Sequence, residues 1–220
     1  MHIIALLTFS YFLGALPFGL WIAWKVKGLD IRTVGSGNIG STNVGRICGR
    51  TAGTGVMILD VAKGYLPPVI GGAMGLPSHW LILSAMLAII GHNFSIFLRF
   101  QGGKGIATSA GALLGISFPV GLLAAGLFCG EILLFRYVSV GSLLAAVALP
   151  FGMMHFYPGD RYRLAFSIAA CIMAFYKHRA NVVRLFKGTE PRVVFGRKSV
   201  EQSLDTADSA TAVQGSIEDA

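Results

Sequence analysis

Three polar, glycine-rich segments carry the residue types from which phosphate sites are built. In the first, Gly35, Gly37, Gly40 and Gly45 alternate with Ser36, Asn38, Ser41, Thr42 and Asn43, and Arg46 closes the run. Glycine reaches the positive-φ conformations that turn successive N–H groups into a concave anion nest. Hydroxyls and amides add donors, and an arginine grips phosphate in a bidentate fork. Ser36, Gly37, Asn38, Thr42, Asn43 and Arg46 are therefore candidate phosphate contacts. The bland reading is a flexible loop at a membrane interface.

The second segment opens with Gly91-His92-Asn93-Phe94 and reaches Gly102-Gly103-Lys104-Gly105 just before an apolar stretch. A glycine turn at a helix N-terminus attracts an anion, and Lys104 supplies a full charge. Gly102, Gly103 and Lys104 join the candidates. This is not a nucleotide P-loop, because Gly105 stands where Ser or Thr must follow the lysine and no strand precedes. A boundary lysine that snorkels is the alternative for Lys104, and helix packing is as good a reading of His92 as ligand contact.

The third segment runs from His178-Arg179-Ala180-Asn181 to Gly188-Thr189-Glu190. His178 and Asn181 are three apart and share a face if a helix continues there. Arg179 points elsewhere and is kept as a substrate contact. Arg184 is a further phosphate or headgroup contact, and Glu190 is read as orienting an arginine. His178 could be a base, a phosphate donor or a helix cap. Ser139 and Ser142 share a face at a helix start, and Ser142 is kept as a possible donor.

The elements that must position these groups are membrane helices. The 220 residues are 54% hydrophobic and 13% charged, with mean hydropathy +0.68, whereas soluble domains carry about 25% charged residues. Apolar stretches at 3–24, 51–76, 79–98, 118–135 and 138–156 approach the ~20 residues a span needs. Shorter ones lie at 106–117 and 162–176. The expected fold is all-α and integral to the membrane, with about seven transmembrane helices over residues 1–198. With the loop after the first helix inside, nearly all of the 18 Lys and Arg fall on the cytoplasmic side. Only Arg161 and Arg163 fall outside, and Lys63 lies within a helix. That bias puts the N-terminus outside and the C-terminus inside. All three glycine-rich segments then share the cytoplasmic face.

The remaining features are structural. Residues 199–220 hold five acids and no basic residue, which reads as a disordered cytoplasmic tail. Cys48, Cys129 and Cys171 have no metal or disulfide spacing, so no metal or cofactor is expected. Asp60 and Lys63 read as an intramembrane ion pair. Gly71/Gly75 and Gly111/Gly115 have the GxxxG spacing of closely packed helices.

The stretches GSGNIGSTNVGR, GHNFSIFLRFQGGKGIATSAG and HRANVVRLFKGTE resemble, in order and spacing, the three signature motifs of bacterial acyl-phosphate:glycerol-3-phosphate acyltransferases. The resemblance runs from the first helix to about Arg197. Ser41 stands where the family usually has alanine, and Gln101 where it often has a basic residue. The resemblance implies a multi-pass enzyme of the bacterial inner membrane. It would acylate the 1-hydroxyl of sn-glycerol 3-phosphate from acyl phosphate, giving lysophosphatidic acid and phosphate. Ser36, Lys104, His178 and Asn181 would be its catalytic groups. Its partners would be these two substrates, membrane lipids and a soluble enzyme that makes acyl phosphate, with no nucleic acid.

That chemistry fits the residues. Acyl phosphate has a good leaving group, so catalysis rests on holding the hydroxyl against the carbonyl and stabilising the oxyanion. A His followed five residues later by Asp, another acyltransferase pattern, is absent: His92 leads to Phe97 and His178 to Val183. Direct attack is expected, with the proton passing to His178 or to the acceptor's phosphate. An anion transporter would place its site near the bilayer midplane and often show inverted repeats, and none is visible. A lipid-binding scaffold is the other alternative.

Overall fold

The structure, a computed structural model, describes residues 1–193. The acidic tail expected over 199–220 lies outside them. Every regular element among the described residues is helical: α1 (His2–Ala15), α2 (Phe18–Lys27), α3 (Ser41–Cys48), α4 (Arg50–Ala73), α5 (Ser78–Asn93), a 3₁₀ turn (Ile96–Leu98), α6 (Ile106–Ile116), α7 (Phe118–Leu134), α8 (Val138–Phe156) and α9 (Arg161–Phe186). Among the described residues, four stretches are long and apolar enough to cross a membrane: His2–Lys27, Arg50–Ala73, Ser78–Leu98 and Val138–Phe156. Large apolar side chains such as Phe135, Phe151 and Ile172 face outwards, as lipid-facing residues must.

The chain divides into two compact units. One holds Met1–Leu16 with Asp60–Val193, and the other holds Pro17–Leu59. In the larger unit, α1 packs on α5, and α5 through α9 pack in succession. The buried core runs through Ile82, Ala85 and Ile89 of α5, Leu113 and Ile116 of α6, Val120 of α7, Met153 of α8 and Phe166 of α9. Lipid tails are as apolar as leucine, so close packing has to hold such helices together. Gly111 and Gly115 do this: a Cβ on Gly111 would stand 1.9 Å from the Val61 carbonyl oxygen, and one on Gly115 2.7 Å from Pro68.

Several expectations change. The stretch 3–24 is two helices, because Pro17 lacks an N–H and disfavours helix at Leu16. The Leu16 carbonyl freed there accepts from Lys63 Nζ at 2.9 Å. Lys63 also pairs with Asp60 at 2.8 Å, both buried, so the expected ion pair anchors the break as well. Gly75 does not pack. It has φ +72 with open space around it and closes α4, with Leu76 N–H donating to Gly71 and Gly75 N–H to Gly72, a Schellman stop. α9 is capped by Asp160, whose carboxylate accepts the N–H groups of Tyr162 and Arg163, and runs ten residues beyond the expected end.

Candidate functional site

In the smaller unit, the first glycine-rich segment is organised by one amide. Asn43, 2% exposed, donates from Nδ2 to the carbonyls of Ile31 (3.3 Å), Val34 (3.1 Å) and Asn38 (3.0 Å). Its Oδ1 accepts the Ser36 N–H at 3.0 Å. Asn43 was expected to contact phosphate; its amide instead fastens the loop that presents the other groups. The nest is corrected in the same way. Gly37 N–H donates to Val34 and Gly40 N–H to the Asn38 side chain at 2.8 Å, so with Ser36 three of the expected backbone donors serve the loop. Ser36, Gly37 and Thr42 remain exposed. Thr42 lies in the first turn of α3, where N–H groups lack helical partners. Arg46 lies in its last turn, partly buried.

In the larger unit, the C-terminus of α5 carries the second segment. A helix end leaves carbonyls that need donors, and here they are found one by one. His92 accepts the Gly103 N–H at 3.0 Å and Asn93 the Gly102 N–H at 3.2 Å. Asn93 also accepts Lys177 Nζ at 2.6 Å, and Phe94 accepts the Tyr11 hydroxyl at 3.0 Å. The N–H groups of Gly102 and Gly103, expected to cradle an anion, are therefore donated to α5. Their lack of side chains permits close approach: a Cβ would lie 1.9 Å from the His92 carbonyl oxygen at Gly102 and 2.1 Å from His92 Nε2 at Gly103. Gly105, at φ +79, starts α6.

Docking this segment delivers Lys104 to α9. Lys104 Nζ donates to Asn181 Oδ1 at 2.6 Å. Asn181 Nδ2 donates to Glu190 Oε1 at 2.7 Å, and Arg184 Nε to Glu190 Oε2 at 2.8 Å. The second and third segments thus meet through one chain of side chains. The carboxylate decides which end of the Asn181 amide faces the lysine. Burial pushes the Glu190 carboxyl up, but hydrogen bonds from Asn181 and Arg184, with the Arg184 charge, hold it below its ordinary range.

His178 and Asn181 are both buried, on the same helix. The imidazole Nδ1 lies 2.8 Å from the Ala174 carbonyl. A carbonyl can only accept, so Nδ1 carries the hydrogen and Nε2 keeps its lone pair. Burial, then the Lys104 charge, lower the pKa to about 4, against the opposing bond to Ala174 and the Glu190 charge. His178 is therefore neutral at neutral pH, with Nε2 unprotonated.

Two expected residues stand apart from this chain of contacts. Arg179 is exposed and folds back, with Nη1 on the Tyr176 carbonyl at 2.9 Å and the guanidinium 4.7 Å from that ring. Ser142 donates to the Val138 carbonyl of its own helix at 2.7 Å. Lys177 and the Asn93 carbonyl were missed as part of the arrangement. Lys177 looked like one more positive charge, and a backbone acceptor has no residue signature. No group of His, Cys, Asp and Glu suited to a metal ion occurs among the described residues. The chemistry available is anion capture by cations, with a neutral histidine beside them.

A family model described as glycerol-3-phosphate acyltransferase matches residues 4–188. A glycerol-3-phosphate acyltransferase of Geotalea daltonii is 42% identical over 188 residues, covering 85% of this chain and 95% of its own. One from Desulforudis audaxviator is 44% identical over 196 residues, covering 89% and 98%. The crystal structure of PlsY (YgiH), an integral membrane glycerol 3-phosphate acyltransferase, in its glycerol 3-phosphate form, is similar at TM-score 0.83 and 38% identity, covering 91% of this chain and 98% of that one. Its lysophosphatidic acid form gives TM-score 0.79 at 37% identity, with the same coverage. With the three segments in order on an all-helical membrane fold, the chain belongs to the glycerol-3-phosphate acyltransferase family.

Proposed function

We propose that the protein transfers a fatty acyl group from acyl phosphate to the 1-hydroxyl of sn-glycerol 3-phosphate, giving lysophosphatidic acid and inorganic phosphate, the first acylation of phospholipid synthesis in a bacterial inner membrane. The observation that carries the reading is the Lys104–Asn181–Glu190–Arg184 chain, which ties Lys104 to the helix that bears neutral His178. Glycerol 3-phosphate and lysophosphatidic acid, named with the similar solved structures, are the acceptor and product this reading assigns.

In the reaction the acceptor's 1-hydroxyl oxygen bonds to the acyl carbon and the bond from that carbon to the phosphate oxygen breaks. Phosphate leaves with the electron pair. The hydroxyl proton passes to His178 Nε2 or to the acceptor's own phosphate. Lys104 neutralises charge on the phosphate or the developing oxyanion, the kind of preorganised contact that dominates acyl-transfer catalysis. Ser36, Thr42 and Arg46 bind substrate phosphate, with Asn43 and Asn38 shaping the segment that bears them. Asn181 aims Lys104. No acyl-enzyme forms.

This reading takes seven crossings, with α1 and α2 counted as one, the N-terminus outside and the C-terminus inside. The positive-charge bias supports it. α6 has 11 residues, about 16 Å at 1.5 Å per residue, so segment 99–105 must cover part of its crossing. Single-cysteine labelling from each side of sealed vesicles tests the topology; reagent access to the 102–105 segment from outside overturns it.

The decisive assay uses purified protein in detergent with palmitoyl phosphate and radiolabelled glycerol 3-phosphate. Labelled lysophosphatidic acid is expected, with none from acyl-CoA. No product from acyl phosphate would end the proposal. Rapid-quench mass spectrometry should find no acylated serine or cysteine.

A further inference from the structure

Lys177 offers more than a positive charge. It is partly buried beside His178 on α9, and its Nζ donates to the Asn93 carbonyl at 2.6 Å while lying 4.7 Å from the centre of the Phe94 ring. The Asn93 carbonyl belongs to the last residue of α5, where the helix dipole leaves partial negative charge that favours a cation. The aromatic face adds further attraction. The same carbonyl takes the Gly102 N–H, so a single oxygen joins α9 to the backbone of the second segment.

Asn181 follows Lys177 by four residues, one turn along the same face of α9. There the direction reverses, because Lys104 of the second segment donates to α9. Two ties about 6 Å apart along the helix therefore cross between α9 and the α5–segment unit, one donated each way. One tie leaves a pivot; two fix the angle. His178 sits between them in sequence.

We propose that Lys177 is a positioning residue for the acyl transfer, fixing the segment that carries Lys104 against the helix that carries His178 and Asn181. Lys177 acts through the Asn93 carbonyl and touches neither substrate. This inference rests on the acyl-transfer reading above.

The test compares full-length Lys177→Met, which keeps the stem and loses the donor, with Lys177→Arg, which restores one. In Lys177→Met, kcat falls about tenfold to a hundredfold, the scale of a slight misplacement of reacting groups, while KM for both substrates moves less than about threefold. Lys177→Arg recovers most of the loss. Lys177→Met adds nothing further to a Lys104→Met background, as expected for two parts of one device. Hydrogen exchange at 102–104 speeds up in Lys177→Met and returns in Lys177→Arg. A raised KM with unchanged kcat would make Lys177 a substrate contact and overturn the proposal. Unchanged kcat or unchanged exchange overturns it too. If wild type makes no lysophosphatidic acid yet exchange follows the pattern, the reaction reading fails and the tie stands. Should Lys177→Met not fold, Lys177→Gln carries the same measurements.

Discussion

The first glycine-rich segment and the second solve the same problem in opposite ways. Each must hold a cation and polar groups on backbone rich in glycine, which loses much conformational entropy on ordering. The first segment fastens itself from within: one buried side chain, Asn43, collects three carbonyls and one N–H. The second is fastened from outside, onto the carbonyls that α5 leaves at its end. A self-fastened loop stands or falls with one residue. A docked loop depends instead on the partner beneath it. In both, N–H groups that the sequence motif offers to phosphate hold the loop in shape instead, those of Ser36, Gly37 and Gly40 in the first and of Gly102 and Gly103 in the second; the proposed reaction therefore assigns anion capture chiefly to side chains.

The sharpest test of that conclusion is Lys104→Met. If side chains rather than backbone N–H groups capture the anion, kcat/KM drops by at least about a thousandfold, the upper range for one oxyanion donor, while thermal stability in detergent is nearly kept. A small loss, with the rate carried by backbone donors, would break the comparison on its second side.

Asn43→Ala comes next. It removes an acceptor and the donors for three carbonyls, leaving the buried Ile31 carbonyl unpaired at about 1–3 kcal/mol and the part-buried Val34, Asn38 and Ser36 groups at less. The expected outcome is a loop at 30–43 that proteases cut readily, with activity down about a hundredfold. Thr42→Ala, in contrast, leaves proteolysis unchanged and raises KM. If the two variants behave alike, Asn43 is not the fastener.

How much of this was legible from the residues differs element by element. The apolar stretches, the charge bias and the pairing of Asp60 with Lys63 follow from composition and spacing. The link between His178 and Asn181 needed only a helix that continues, and α9 does. α3 was hidden because Ser41, Thr42, Asn43 and Gly45 are poor helix formers, and its buried Val44 and Ile47 are too few to show a period. The break before Pro17 was open to view but masked by apolar residues on both sides. The docking of Gly102 and Gly103 was beyond reach, since a carbonyl acceptor can belong to any residue type.

His178 sharpens the comparison by its titration. Its folded pKa, about 4, lies below the unfolded value of about 6.5, so the unfolded chain binds the extra proton first. Stability is intact above pH 6.5 and falls as the pH drops through the window to about 4, by roughly 3 kcal/mol in all. His178→Asn, which cannot titrate, flattens that part of a Tm-against-pH curve in detergent. A curve unchanged by the substitution would mean that the imidazole is not held neutral by its burial and Lys104.

The smallest effect is expected at Ser142. By type and place it belongs with the phosphate donors, on a serine-bearing face at the start of α8. Its hydroxyl hydrogen, however, goes to the Val138 carbonyl one turn back, a local bond that slightly weakens a helix when anything. A hydroxyl has one hydrogen to give, so donating to a substrate phosphate would require that bond to break and the side chain to rotate within a buried site, 2% exposed. Ser142→Ala should change kcat/KM by less than about threefold, under 1 kcal/mol of transition-state stabilisation, and leave the melting temperature unchanged or slightly raised. A tenfold rise in KM for either substrate would show that the hydroxyl does turn, and that a third mode of support, a helix start, contributes to anion capture beside the self-fastened loop and the docked one.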